Sequence, residues 1–208
     1  MENANDFRDI SARDDPANLV VAIEVPEPPG DDISTQTWNV DLDEGFRTQA
    51  NNQLHVSLLL LGYRYHQNDV HNILSAAVLP AEFDVRLVAP AGVPFDSAAD
   101  HLVLVPDNGA RQHFQGVYAS IVQAFTDAGL QIETSIPFWP HCTIATRVQR
   151  ARGTPSPVAE QFVADNAAFT TDTFHVDRIH LYSTNRQHRT GWQYDTLQTY
   201  MLRQNKQE

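Results

Sequence analysis

The stretch that decides the fold is LHVSLLLLG, residues 54–62, in which His55 and Ser57 open an otherwise apolar run. Residues i and i+2 of a β-strand point to the same face of its sheet. A strand here therefore places the imidazole of His55 beside the hydroxyl of Ser57 and turns Val56 to the other face, into packing. A histidine so close to a buried run favours a function for this element.

The second half of the chain contains a similar element, FWPHCTIATRV at residues 138–148. His141 and Thr143 again lie two apart before apolar residues, and Cys142 should face away from them. A third match, His188 with Thr190, lies in a polar stretch. We interpret it as accidental, because about one such spacing is expected by chance and bare motif matches often mislead.

If the two motifs converge on one point, they supply two imidazoles and two hydroxyls. These groups are sufficient for phosphodiester cleavage without a metal. A neutral histidine takes a proton from the attacking group, and a protonated histidine gives one to the leaving oxygen. The hydroxyls hydrogen-bond the non-bridging phosphoryl oxygens, where charge builds in the transition state. Both histidine forms are populated near neutrality, because the ordinary pKa of histidine is about 6.5.

Composition limits the classes of protein to consider. The chain has 208 residues, 42% of them hydrophobic, and a formal net charge of −12. Such an acidic protein gains nothing from counterion release along a nucleic acid, so a short substrate is favoured over a long strand, and a small anionic ligand or a single nucleic-acid end stays possible. Cys142 is the only cysteine, and the longest apolar run is far too short to cross a bilayer. A soluble cytoplasmic enzyme without membrane contact is predicted.

The chain mixes strands and helices without strict alternation, which favours an α+β fold. An acidic, flexible tail over residues 1–17 is expected to precede a single domain over 18–208. A polar loop is expected at 184–192. The predicted strands cover residues 18–25, 54–62, 83–95, 101–106, 138–148, 174–183 and 194–202, and the predicted helices cover 41–49, 68–79, 110–128 and 158–169.

The two elements resemble the motifs of the 2H phosphoesterases, the LigT-like or 2′-5′ RNA ligase-like proteins. Residues 55–62 are similar to the family pattern His-x-Ser/Thr-Leu followed by Leu-Gly, and residues 138–145 to aromatic-Pro-His-x-Thr-Leu-Ala. Weaker similarity extends from about residue 18 to residue 203.

The resemblance implies a two-lobed fold with pseudo-twofold symmetry, in which antiparallel sheets flank a central groove. It also implies metal-independent chemistry, with no cofactor, on 2′,3′-cyclic phosphates, 2′-5′ linkages or cyclic oligonucleotides. His55 and His141 would be the catalytic acid and base, and Ser57 and Thr143 would hold the phosphate.

The chain departs from the family pattern at two places. Leu59 and Leu60 stand where many relatives have a basic or aromatic residue. The basic residue after the second motif often falls one position before Arg147, where this chain has Thr146. These departures affect the choice of substrate more than the chemistry.

Four further residues are candidates for substrate binding. Arg147 has even spacing from His141 and shares its face if the strand stays regular; a bulge would turn it away. Trp139 can stack on a base or pack between the lobes. Tyr182 lies where relatives often place an aromatic residue of the groove, and Tyr63 follows Gly62 at its expected rim.

Other interpretations stay open from the sequence. The two histidines could be structural and hydrogen-bonded, or belong to a metal site for which His175 and Asp177 are the nearest further ligands. An RNA 2′-5′ end ligase would use the same residues in the reverse direction. A nucleotide-binding module would keep the groove without catalysis. The oligomeric state cannot be inferred from the sequence.

Overall fold

A computed structural model describes residues 17–37, 45–93, 99–132, 137–147, 155–187 and 191–205. Most of the predicted tail, and the third match at His188 and Thr190, lie outside these residues. None of the described helices is long and apolar enough to cross a membrane.

The described elements combine four α-helices with antiparallel sheet, as the α+β prediction requires. One 3₁₀ turn, Asn51–Gln53, precedes β3. The strands are β1 (Asn18–Glu24), β2 (Phe46–Thr48), β3 (His55–Gly62), β4 (Phe83–Val85), β5 (Leu87–Val93), β6 (His101–Pro106), β7 (Cys142–Arg147), β8 (Phe174–Val176), β9 (Arg178–Gln187) and β10 (Gly191–Met201). The helices are α1 (Pro29–Thr37), α2 (Gln67–Ala76), α3 (Asn108–Asp127) and α4 (Pro157–Asp165).

Eight of the described strands form one sheet, in which seven follow the order β10-β9-β1-β3-β7-β6-β5 and the eighth, β2, pairs with β7. The sheet has two halves, and they meet where β3 pairs with β7 through Val56 and Cys142. The small sheet of β4 and β8 lies apart from it. The two motif strands, β3 with His55 as its first residue and β7 with His141 just before it, therefore lie side by side at the centre of the sheet.

The two halves repeat the same irregularity, which gives them a pseudo-twofold relation. In β3, Ser57 pairs with Ala22 but the next paired residue is Leu59, so Leu58 is an extra residue. In β7, Thr143 pairs with Val103 and the next paired residue is Ala145, so Ile144 is extra. Each central strand thus has a bulge one residue after its hydroxyl, and a bulge reverses which face the later side chains occupy.

The helices cover one face of the large sheet. Val56 and Cys142, both fully buried, belong to the same core cluster as Phe114 and Val117 of α3. Asp107 caps the N-terminus of α3, since its carboxylate accepts a hydrogen bond from the Ala110 backbone N–H, and the helix ends before Gly129, whose φ is 77°. Because the neighbours of Val56 and Cys142 point away from this core, His55, Ser57, His141 and Thr143 lie on the opposite face.

Three sequence-based expectations about elements are wrong. Residues 46–48, expected in a helix, form strand β2, and the helix of this region begins earlier, at Pro29. The single strand expected over 83–95 is divided into β4 and β5, which pair with different partners. The loop expected at 184–192 is contradicted at both ends, because β9 continues to Gln187 and β10 begins at Gly191.

Candidate active site

The pairing of Val56 with Cys142 brings the two motifs together. In an antiparallel pair the flanking residues also face each other, so His55 lies beside Thr143 and Ser57 beside His141. All four side chains are half-buried, while Val56 and Cys142 are fully buried behind them. Burial also raises the pKa of the Cys142 thiol to about 12, so this cysteine is not a nucleophile near neutrality.

The two imidazoles are oriented by the same contact. Nδ1 of His55 lies 2.8 Å from the carbonyl oxygen of Gln53, and Nδ1 of His141 lies 2.9 Å from that of Trp139. Each carbonyl belongs to the residue two positions earlier, and a carbonyl only accepts, so each Nδ1 carries the proton and donates it. Nε2 of each neutral ring is then left as a proton acceptor on the open side of the sheet.

The surroundings of His55 differ from those of His141. The ring of Tyr194 packs on His55 with its centroid 4.1 Å away, and Tyr182 is 6.3 Å away. Burial lowers the pKa of His55, and the nearby His141 lowers it further, although the Gln53 carbonyl acts in the opposite direction. Because the neutral form of His55 is favoured, this ring is suited to accept a proton.

Tyr194 is held in place through the same residue that orients His55. Its backbone N–H donates to the side-chain oxygen of Gln53 at 2.6 Å. Gln53 thus links the end of the 3₁₀ turn to β10 and fixes both the imidazole and the ring that shields it. Burial raises the pKa of Tyr194, so its hydroxyl stays protonated.

The other predicted aromatic residues have different positions. Trp139 stacks on His141 with centroids 4.9 Å apart and planes 27° apart. Tyr182 is only 5% exposed and packs over Val20 and Ala22, so it forms the wall of the site beneath Tyr194. Tyr63 is 63% exposed and follows the end of β3, about 20 Å along the strand from Ser57.

Arg147 is not brought to the histidines. The extra residue in β7 turns it to the core face, where it is 5% exposed and its guanidinium lies 5.6 Å from the centroid of the Phe46 ring. It also donates to the carbonyl oxygen of Pro155 at 3.4 Å. The even spacing that suggested a shared face does not persist beyond the bulge.

Beside His55 the site contains a histidine and a carboxylate that no sequence motif indicates. His180 lies across Ala22 from Ser57, its Nδ1 is 3.0 Å from the Thr199 hydroxyl, and its Nε2 is 3.7 Å from the carboxylate of Glu24. Burial lowers the pKa of His180, which Glu24 partly offsets. A cleft of about 530 Å³ opens at this end of β1, and its lining includes Glu24, Asn52, Arg178 and His180.

Sequence signals for these extra residues were unequal. Gln53 could have been found, because it stands two residues before His55 as Trp139 does before His141. Tyr194 had no local signal, since it reaches His55 only through the pairing of β10 with β9 and of β9 with β1.

His175, the nearest further ligand in the metal interpretation, is engaged elsewhere. It lies on β8, with Nδ1 2.8 Å from the Asp84 carboxylate and Nε2 3.5 Å from that of Glu82. Hydrogen bonding to Asp84 raises its pKa, as does the weaker contact with Glu82. Within the described part of the chain, no group of three or more His, Cys, Asp and Glu side chains is arranged to hold a metal ion.

Comparison with known proteins gives one family match and several structural matches. The family model of the 2′-5′ RNA ligase superfamily matches residues 26–188. The crystal structure of TT0787 of Thermus thermophilus is 21% identical, covers 90% of this chain and 98% of its own, and has a TM-score of 0.67.

A crystal structure of E. coli LigT complexed with 3′-AMP is 17% identical at the same coverages, with a TM-score of 0.67. Other LigT structures were solved with phosphate and with ATP. At these identities the structures show that the fold is shared. No curated protein sequence matches the chain significantly.

Proposed function

Because the chain belongs to the 2′-5′ RNA ligase superfamily of 2H phosphoesterases, we propose that it is a metal-independent phosphodiesterase acting on a small nucleotide phosphodiester. The observation that carries this proposal is the matched pair of imidazoles. His55 and His141 each donate Nδ1–H to the carbonyl two residues earlier, and each stands beside a hydroxyl of the other motif. A purely structural pair would not need both Nε2 atoms on the open face.

The chemistry follows from which nitrogen is free on each ring. For a 2′,3′-cyclic phosphate, water attacks phosphorus while Nε2 of neutral His55 takes its proton. The bond from phosphorus to one ribose oxygen breaks, and Nε2–H of protonated His141 supplies the proton that this oxygen needs. Ser57 and Thr143 donate hydrogen bonds to the non-bridging oxygens as charge develops. Both catalytic roles are then filled by side chains of this chain.

Support for a nucleotide substrate is of two kinds. LigT, which shares the fold, has been solved with 3′-AMP and with ATP. In this chain, rings flank both histidines: Tyr194 beside His55 and Trp139 against His141. We propose Tyr194 and Trp139 as stacking surfaces for a base, and Tyr182 as the support of Tyr194. The lone, buried Cys142 agrees with a reducing, cytoplasmic location, which is part of the proposal.

The experiment is a product screen by mass spectrometry in EDTA. The panel holds 2′,3′-cyclic mononucleotides, 2′-5′ oligoadenylate, 3′-5′ oligonucleotides and cyclic dinucleotides. Wild type is compared with His141→Ala and with His113→Ala, an exposed histidine of α3 on the helical face. We expect wild type and His113→Ala to consume one class and His141→Ala to leave it intact. Equal turnover by all three proteins would overturn the proposal, and so would tight binding without any product.

A further inference from the structure

A row of three residues crosses the open face beyond the second motif. On β7, Thr146 pairs with His101 of β6 on one side and with Arg47 of β2 on the other. Directly opposed residues of paired strands share a face. The contact between Nδ1 of His101 and the Thr146 hydroxyl, at 3.3 Å, agrees with this arrangement.

This row lies on the same face as the histidines. Val103, two residues from His101 on the same strand, pairs with Thr143, and both are outside the core cluster that contains Leu102 and Leu104. Phe46 and Arg147, which pair with each other on the core face, leave Arg47 and Thr146 on the opposite face. Arg47 is exposed. The bulge at Ile144 thus makes Thr146, and not Arg147, the residue that continues the floor of the groove.

The equivalent row in the other half has no charge. The bulge in β3 places Leu60 where Thr146 stands in β7, and Leu60 is 73% exposed. Its row continues through Val20 of β1, Tyr182 of β9 and Thr196 of β10. The row that contains Leu60 is therefore mainly apolar and aromatic, and the row that contains Thr146 carries a guanidinium and an imidazole.

We propose that Arg47, Thr146 and His101 form a second phosphate subsite, which selects substrates carrying a further phosphate on the His141 side of the scissile one. The row lies three residues along β7 from Thr143, about 10 Å away. This distance from Thr143 suits a second phosphate of the same nucleotide, and it is too long for contact with the phosphate that is cleaved. Arg47 supplies the charge, and Thr146 and His101 supply polar groups at the end of the row. This inference rests on the proposed function, since it extends the same groove.

Binding measured by calorimetry tests the subsite without relying on turnover. The probes are adenosine 3′-monophosphate and adenosine 3′,5′-bisphosphate, which differ by one phosphate. We expect wild type to bind the bisphosphate at least tenfold more tightly, because the added phosphate accepts a charge-assisted hydrogen bond from the Arg47 guanidinium. Arg47→Ala should lose most of that preference while keeping its affinity for the monophosphate.

Two further variants make the result specific. Arg86→Ala removes one positive charge near the start of α3, where Arg86 faces Asp107 at 3.8 Å, and should keep the preference. Arg47→Ala combined with Thr146→Arg moves the guanidinium to the adjacent strand on the same face and should restore it. Equal affinities of wild type for both probes, no binding of either, or an unchanged preference in Arg47→Ala would overturn the subsite. Failure of the proposed function would appear separately, as absence of product in the EDTA screen.

Discussion

His55 and His141 are held alike but are covered differently, and this difference assigns their roles. Both donate Nδ1–H to the carbonyl two residues earlier, at 2.8 and 2.9 Å. The ring of Tyr194 lies against His55 with centroids 4.1 Å apart and planes 53° apart. The ring of Trp139 stacks on His141 with centroids 4.9 Å apart and planes 27° apart. Burial and the second imidazole disfavour the charged form of His55, so we assign it as the base and His141 as the acid.

This assignment predicts the position of the acidic limb of the pH–rate profile. Because the pKa of His55 is lowered, His55 stays neutral at pH values where an ordinary histidine is half-protonated. The limb of kcat/KM that reports loss of the base should therefore lie below about pH 6.5. Tyr194→Ala admits water to the ring and should move the limb upward.

The matched control for this profile is Tyr63→Ala, which removes an exposed tyrosine beyond the end of β3 and should leave the limb in place. A wild-type limb at or above pH 6.5 would contradict the assignment, and so would a limb unmoved in Tyr194→Ala.

At the scale of single elements, the two bulges determine which side chains reach the groove. Each inserts one residue after the hydroxyl of its motif, Leu58 in β3 and Ile144 in β7. Leu60 and Thr146 consequently face the substrate side, and Arg147 turns into the core. Strand alternation alone predicts the opposite for Arg147, because a bulge depends on the pairing with a neighbouring strand.

Arg147 should therefore act in stability and not in catalysis. Arg147→Ala removes the packing of the guanidinium on Phe46 and its bond to the Pro155 carbonyl. We expect a loss of about 1–3 kcal/mol in the free energy of unfolding, measured by urea denaturation. Its kcat/KM should stay within about twofold of wild type. Arg47→Ala should instead leave the free energy of unfolding unchanged and weaken the binding of ligands that carry the further phosphate. A large loss of activity at unchanged stability in Arg147→Ala would contradict this placement.

The sequence was informative where local pattern dominates. The two motif strands, the strand at 101–106 and the helix ended by Gly129 all follow from spacing and stop signals. Strand β2 could not be predicted, since three residues acquire their conformation only from pairing with β7. The position of Tyr194 likewise depends on the order β10-β9-β1, which no local signal encodes.

At the scale of the whole molecule, the sheet creates one groove with two unlike halves. The net charge of −12 surrounds this groove with a field that repels polyanions. Tyr182, Tyr194 and Leu60 belong to one half, and Arg47 and His101 to the other. A short substrate can place its base in the first and a phosphate in the second, without extending over the acidic surface.

This charge distribution predicts a preference for short substrates that depends on salt. At low ionic strength, kcat/KM for a 2′-5′-linked dimer or trimer should exceed that for a chain of about 20 nucleotides of the same linkage, compared per cleavable bond. The difference should shrink as salt rises, because the screening length falls from about 10 Å at 0.1 M to about 3 Å at 1 M. An increase of kcat/KM with chain length at low salt would show that a longer cationic track exists.

The central claim is that His55 and His141 move the protons of the reaction, and chemical rescue tests it most directly. On the best substrate of the screen, kcat/KM of His55→Ala should be about 10²–10⁴-fold lower than that of wild type. Added imidazole should restore part of the lost activity of His55→Ala, and the restored rate should rise with the concentration of neutral imidazole. The control His113→Ala should keep its activity without added imidazole. If His55→Ala retains full activity, or if its lost activity does not respond to imidazole at any pH while the fold is intact, the two-histidine mechanism is wrong.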